Sequence, residues 1–132
     1  MKHFLLLEDD PEDQEFFMDA LHSVSETAAC YAVANGEEAL AVLTSRAFKP
    51  DMIFTDLNMP KMNGFDFIKN IKSHKDLKDI PVIVYSAGYS QASIEQAKQL
   101  GAVAIYSKTR PGMLPQILAR YMAETPGHSP ML

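Results

Sequence analysis

The chain contains a single cysteine, Cys30, so no internal disulfide can form and stability has to come from a packed core. Cys30 lies in an apolar run and reads as a small strand or core residue suited to a reducing compartment. Lys and Arg form no cluster, and the formal net charge is -5. Nucleic-acid binding leans on clustered cations set against phosphates, so that footprint is missing. No apolar stretch approaches the length of a membrane span, and the one in "MKHFLLLEDD" is too short for a signal peptide. No glycine-rich phosphate loop follows the first apolar run, which counts against a flavin- or nucleotide-binding module. The histidines His3, His22, His74 and His128 show no metal-ligand spacing. Internal repeats and low-complexity tracts are absent too. These exclusions leave a folded domain expected in the cytoplasm, with neither direct DNA binding nor membrane insertion.

With 132 residues, 47% hydrophobic and 22% charged, the chain is long enough for one core and too short for two. Five short apolar runs recur: "FLLL" (4–7), "CYAVA" (30–34), "MIFT" (52–55), "VIVY" (82–85) and "VAIYS" (103–107). Between them, apolar residues fall at helical spacing: Phe17, Ala20, Leu21 and Val24; Ala39, Leu40 and Leu43; Phe67, Ile68 and Ile71; Ile94, Ala97 and Leu100. A last helix is expected from Gly112 to Glu124. Pro11 suits a first helical turn, Gly36 and Gly101 suit turns, and Pro81 marks a strand entry. Strand and helix patterns in alternation predict an α/β fold: a five-stranded parallel sheet in the order 2-1-3-4-5, doubly wound and flavodoxin-like. The expected organisation is one domain over 1–124 and a tail over 125–132, where "TPGHSP" breaks helix and buries little.

In such sheets ligands bind outside the carboxyl ends of the strands. The third run ends at Asp56, a costly place for a carboxylate unless something there holds it. The first run ends in Glu8, Asp9 and Asp10. If the first and third strands are neighbours, these acids meet Asp56 across the crevice, where their repulsion asks for a cation. Hard oxygen ligands suit Mg²⁺. The plainer alternative is that Asp9 or Asp10 caps the first helix and the rest is solvated acidity. The fourth run is followed by Ser86 and the fifth by Lys108, a hydroxyl and an ammonium at equivalent positions. Together these groups fit phosphoryl transfer: acids for a metal, Asp56 as nucleophile, and Ser86 and Lys108 for the equatorial oxygens.

At this point the chain resembles the receiver domain of bacterial two-component response regulators, over roughly residues 3 to 124. "LLLEDD", "TDLNMPKMNG", "VIVYSA" and "YSK" stand in the family's order. The resemblance implies that Asp56 is the phospho-acceptor. It implies that Glu8, Asp9, Asp56 and the backbone carbonyl of Asn58 serve Mg²⁺, that Ser86 is the switch hydroxyl, that Lys108 is the conserved-type lysine, and that Asp10 is a cap or outer acid. It further implies a stand-alone regulator phosphorylated by a sensor histidine kinase or histidine phosphotransfer protein. Such a regulator has no independent substrate turnover. Its donor docks on the first helix and the loop after Lys108. Its output partner binds the face of the fourth helix, fifth strand and fifth helix, and a phosphorylation-linked homodimer is a further expectation. "KTR" is similar to regulators that work with phytochrome-type kinases.

Two positions depart from the family pattern. Thr109 follows Lys108 where proline is usual, so a trans peptide is expected there. Ile105 stands where an aromatic is usual, and Tyr106 one place on faces the other side of the strand. Switching is therefore expected to run through Ser86 and the loop Ala87-Gly88-Tyr89, with Tyr106 staying put. The rival from another class is a Mg²⁺-dependent phosphatase with an aspartyl nucleophile. Such enzymes carry an acid two residues after the nucleophile, and here Asn58 stands there, which cannot do acid-base work.

Overall fold

The structure, a computed structural model, describes residues 2–45 and 48–123. Strands and helices alternate as β1 (His3–Leu7), α1 (Pro11–Val24), β2 (Ala29–Val33), α2 (Gly36–Thr44), β3 (Met52–Thr55), α3 (Gly64–Lys72), β4 (Val82–Ser86), α4 (Gln91–Leu100), β5 (Ala104–Ser107) and α5 (Leu114–Ala123). The five strands pair in parallel in the order β2-β1-β3-β4-β5, the order expected. Every strand falls within a residue of its apolar run. The last helix starts later than expected, because Pro111–Met113 forms a 3₁₀ turn before α5. Glu124 and the expected tail, 125–132, lie outside the described residues.

Strand alternation sorts the side chains into two cores. Leu5, Leu7, Ile53, Val82 and Val84 pack with Ala39, Leu43, Phe67, Ile68, Ile71 and Ala97 on the α2–α3–α4 side. Phe4, Leu6, Met52, Phe54 and Ile83 pack with Phe17, Leu21, Leu114, Leu118 and Tyr121 on the α1–α5 side. Burial on both faces explains why β1, β3 and β4 read as continuous apolar runs. Phe54 is fully buried and touches the rings of Phe4, Phe17 and Tyr121, so truncating it to alanine costs about 3–5 kcal/mol.

Helix starts are set by side-chain caps. Asp10 accepts from Glu12 N with Pro11 in the first turn, and Asn35, Asn63 and Ser90 accept from the amides of Glu38, Asp66 and Ser93. Gly36 is therefore the first residue of α2, not part of a separate turn: Asn35, which the sequence pattern did not single out, supplies the cap. Gly101 ends α4 at φ 106°, a left-handed conformation open to glycine at no cost.

Candidate functional site

Backbone bonds carry the strand ladder one residue past the carboxyl edge of the sheet. Glu8 N donates to Val33 O at 2.9 Å, Asp56 N to Leu7 O at 3.1 Å, and Lys108 N to Ser86 O at 3.1 Å. Side chains that are far apart in sequence are thereby set side by side on one rim. The turn after β3 is pressed close beneath: Gly64 N donates to Leu57 O at 3.0 Å. A Cβ on Gly64 would lie 2.3 Å from the Asp56 carbonyl oxygen. Lys61 in the same loop takes a left-handed φ of 65°, a small strain that fits so tight a turn.

Asp56 is buried, with 8% of its surface exposed, and its two oxygens have different partners. Oδ1 accepts from Leu57 N at 2.7 Å, Asn58 N at 3.2 Å and the Ser86 hydroxyl at 2.7 Å. Oδ2 accepts from Lys108 Nζ at 2.8 Å. These bonds answer why a carboxylate stands at the end of a buried strand: two amides, a hydroxyl and an ammonium replace the water it gives up. The ammonium also bonds Glu8 Oε1 and Asp13 Oδ2 at 3.1 Å. Glu8 is held a second time, through Oε2, by Asp10 N at 3.1 Å.

Burial pushes the Glu8 carboxyl above its usual range, and the bonds from Lys108 and Asp10 N offset only part of that rise. Burial acts to lower Lys108, but the bonds to Asp56 and Glu8 together outweigh it and hold the ammonium above the usual lysine range. The lysine therefore stays charged at any physiological pH. Glu8, Asp9 and Asp56 each offer a carboxylate oxygen within 4.8 Å of the others. Glu8 and Asp56 are buried and Asp9 is exposed, so the cluster is open on one side. Three carboxylates facing one cation leave a surplus of negative charge, and hard oxygen donors with solvent access suit a divalent ion that keeps several waters.

The rim thus brings together Glu8, Asp9, Asp56, Ser86 and Lys108, and Asp10 is the α1 cap. Asn58 joins through its amide, and its side chain donates to Gly88 O at 3.4 Å, linking the β3–α3 loop to the β4–α4 loop. A cavity of 440 Å³ beside the acidic cluster is lined by Asp9, Asn58 and Pro60 among others. All peptides described are trans, Lys108-Thr109 included. Ile105 packs with the α2–α3–α4 core and Tyr106 with the α1–α5 core, the opposite faces expected. The Tyr106 hydroxyl lies 3.0 Å from that of Tyr121.

Sequence reasoning missed two contributors. Asp13 reaches Lys108 from the first turn of α1, and Gln14 Nε2 donates to Glu8 O at 2.6 Å. Their position one turn after the acidic triplet is the signal that could have found them, since that turn overhangs the rim.

A profile of the response regulator receiver domain matches residues 4–119. The probable C4-dicarboxylate response regulator DctR of Bacillus subtilis is 34% identical over 99 residues, 75% of this chain and 42% of its own length. The chain spans 42%, 31% and 43% of three curated relatives it matches. Among solved structures, the phosphorylated cyanobacterial phytochrome response regulator RcpA superposes with a TM-score of 0.84 at 30% identity, covering 95% of this chain and 98% of that one. The Mn²⁺-bound response regulator Rcp1 gives 0.82 at 25% identity, covering 93% of each. A profile match over almost the whole described fold, on a sheet with the expected strand order, settles the family: the chain belongs to the receiver domains of two-component response regulators, whose general role is phosphorylation-dependent signalling.

Proposed function

We propose that Asp56 accepts a phosphoryl group from a histidine kinase or histidine phosphotransfer protein, and that the resulting dianion changes which partner this domain binds. The observation that carries this reading is the buried Asp56 carboxylate held between Ser86 and Lys108. Oδ2 accepts one protein hydrogen bond where Oδ1 accepts three, so Oδ2 keeps a lone pair for attack. The new bond joins Oδ2 to phosphorus while the bond from phosphorus to the donor atom breaks, its electron pair leaving with the donor. Leu57 N and Asn58 N keep Oδ1 in place, Lys108 follows the charge onto a phosphoryl oxygen, and Ser86 moves its hydrogen bond to another. Glu8, Asp9 and Asp56, with the Asn58 carbonyl, would hold Mg²⁺. Bound there, the ion supplies positive charge for the phosphoryl oxygens.

Ser86 leads directly into the β4–α4 loop, and the Asn58–Gly88 bond ties that loop to the acceptor's own. A shift of Ser86 therefore biases residues 87–89 and α4, a change of population between two packings. The output face is α4–β5–α5, and Val103, in the connection just before β5, is 58% exposed. A phosphorylation-linked homodimer would use the same face. The donor docks on α1 and the loop after Lys108, and the likeness to RcpA favours a phytochrome-type kinase among donors. In this reading the domain works in the cytoplasm and has no independent substrate turnover of its own. Asn58, two residues past the nucleophile, lacks the acid that a phosphatase of this type needs.

The test uses Mg²⁺ and acetyl phosphate. The chain should gain one phosphoryl group, labile in base, and Asp56→Asn should gain none. Equal labelling of that variant, or steady hydrolysis of a generic phosphate ester, would overturn the reading.

A further inference from the structure

We propose that Asp13 is the releasable counter-ion of Lys108, a positioning residue that holds the ammonium before phosphorylation and lets it go to the phosphoryl group. The inference rests on Asp56 being the acceptor. A lysine ammonium has three hydrogens to donate. Here each has a carboxylate: Glu8 Oε1, Asp56 Oδ2 at 2.8 Å and Asp13 Oδ2 at 3.1 Å. While the donor approaches, before Asp56 Oδ2 has become an ester oxygen, no hydrogen is left over for a phosphoryl oxygen, so the ammonium reaches one at that stage only if one of the three acids gives way.

Their surroundings decide which. The side chains of Glu8 and Asp56 are 5% and 10% exposed, and that of Asp13 is 46% exposed. Glu8 is also tied to Asp10 N, and Asp56 to two amides and Ser86. Releasing either would leave a buried carboxylate short of a partner, which is costly. Asp13 can turn into water, and an ion pair this exposed is weak. Asp13 also borders a groove of 450 Å³ that it shares with Glu12, Phe16, Tyr85 and Lys108. An anionic donor in this groove is repelled by Glu12 and Asp13 alike, and of the two only Asp13 also bonds the lysine. Asp13 therefore slows phosphoryl uptake twice, by occupying Lys108 and by repelling the donor.

The experiment compares phosphorylation rates from acetyl phosphate at fixed Mg²⁺. Aspartate carboxylate plus acetyl phosphate dianion gives aspartyl phosphate dianion plus acetate, so no proton or further reactant enters. Asp13→Asn should raise the rate constant about twofold to fivefold, or about 0.4–1 kcal/mol at 1.4 kcal/mol per tenfold, the range for a half-exposed pair. Glu12→Gln removes the same charge from the same groove but without a bond to Lys108, so it relieves the repulsion alone and should raise the rate by clearly less than Asp13→Asn. Asp13→Glu should restore the slow rate. A readout independent of chemistry is hydrogen exchange of the Lys108 ammonium by ¹⁵N NMR, which should quicken in Asp13→Asn and not in Glu12→Gln. If the parent takes up phosphoryl and Asp13→Asn is unchanged or slower, or Glu12→Gln accelerates it equally, the proposal fails. If the parent takes up none, the acceptor assignment has failed instead.

Discussion

Replacing Gly64 with alanine sets helix propensity against space, and the structure decides the sign. Alanine is better than glycine in a helix by about 1 kcal/mol, less at the first position, where Gly64 sits in α3. Against that, a Cβ would lie 2.3 Å from the Asp56 carbonyl oxygen and 2.8 Å from Leu57 Cα. Both are backbone atoms on the turn whose amides hold the Asp56 carboxylate, so neither can swing aside. Overpacking of this kind costs roughly 1–3 kcal/mol and sometimes more. We expect Gly64→Ala to lose about 2 kcal/mol net, a fall in Tm of roughly 6–10 °C for a domain of this size. It should also phosphorylate more slowly, because the displaced turn misaligns Oδ1. Gly36→Ala is the contrast. Its Cβ would meet Met62 Cγ and Sδ at 2.8 Å, atoms of a flexible side chain that can turn away, so helix propensity roughly cancels the crowding and Tm should move by no more than about 3 °C. Thermal melts followed by circular dichroism check both variants. A Gly64→Ala protein as stable as the parent, or a larger loss in Gly36→Ala, would refute the argument from backbone approach.

Burial pushes the Cys30 thiol from its ordinary value of 9.0 up to about 12. Alkylation at pH 8 should therefore run at least roughly tenfold slower in the folded chain than in urea. Because the folded value is the higher one, the thiol's contribution to stability is full below about pH 9 and is lost as pH rises toward 12, which urea titrations along that range would show. Tyr106→Phe removes the hydroxyl contact with Tyr121 and should cost about 0.5–1.5 kcal/mol in urea denaturation while leaving the phosphorylation rate unchanged; a large rate loss would mean that the ring takes part in switching. Comparing the free and beryllofluoride-bound proteins should show movement at residues 86–89, with Ile105 and Tyr106 fixed. The reverse pattern would sink that route.

The sheet was legible because burial on both faces writes each central strand as an unbroken apolar run, and the rim was legible because the residue after each run has a fixed address in a doubly wound fold. Asp56, Glu8 and Lys108 could therefore be placed together without coordinates. Asp13 could not. Acidic residues in a first helical turn are common for dipole reasons alone, and only the position of α1 over the sheet edge shows that this one reaches Lys108. The start of α5 was misplaced because proline and glycine at 111–112 fit either a helix start or a 3₁₀ turn. Gly36 was misjudged because a glycine after Asn35 reads equally as a turn or as the first residue behind a cap.

The most direct measurement is chemical mapping of the acceptor. The chain is phosphorylated with acetyl phosphate and Mg²⁺, reduced with borohydride, which converts an aspartyl phosphate to homoserine, digested and sequenced by mass spectrometry. Homoserine at position 56, dependent on Mg²⁺ and absent from protein that was not phosphorylated, is the result the account predicts. Homoserine at position 9, 10 or 13 with an unmodified Asp56, or a phosphorylated chain with no reducible aspartate, would contradict it.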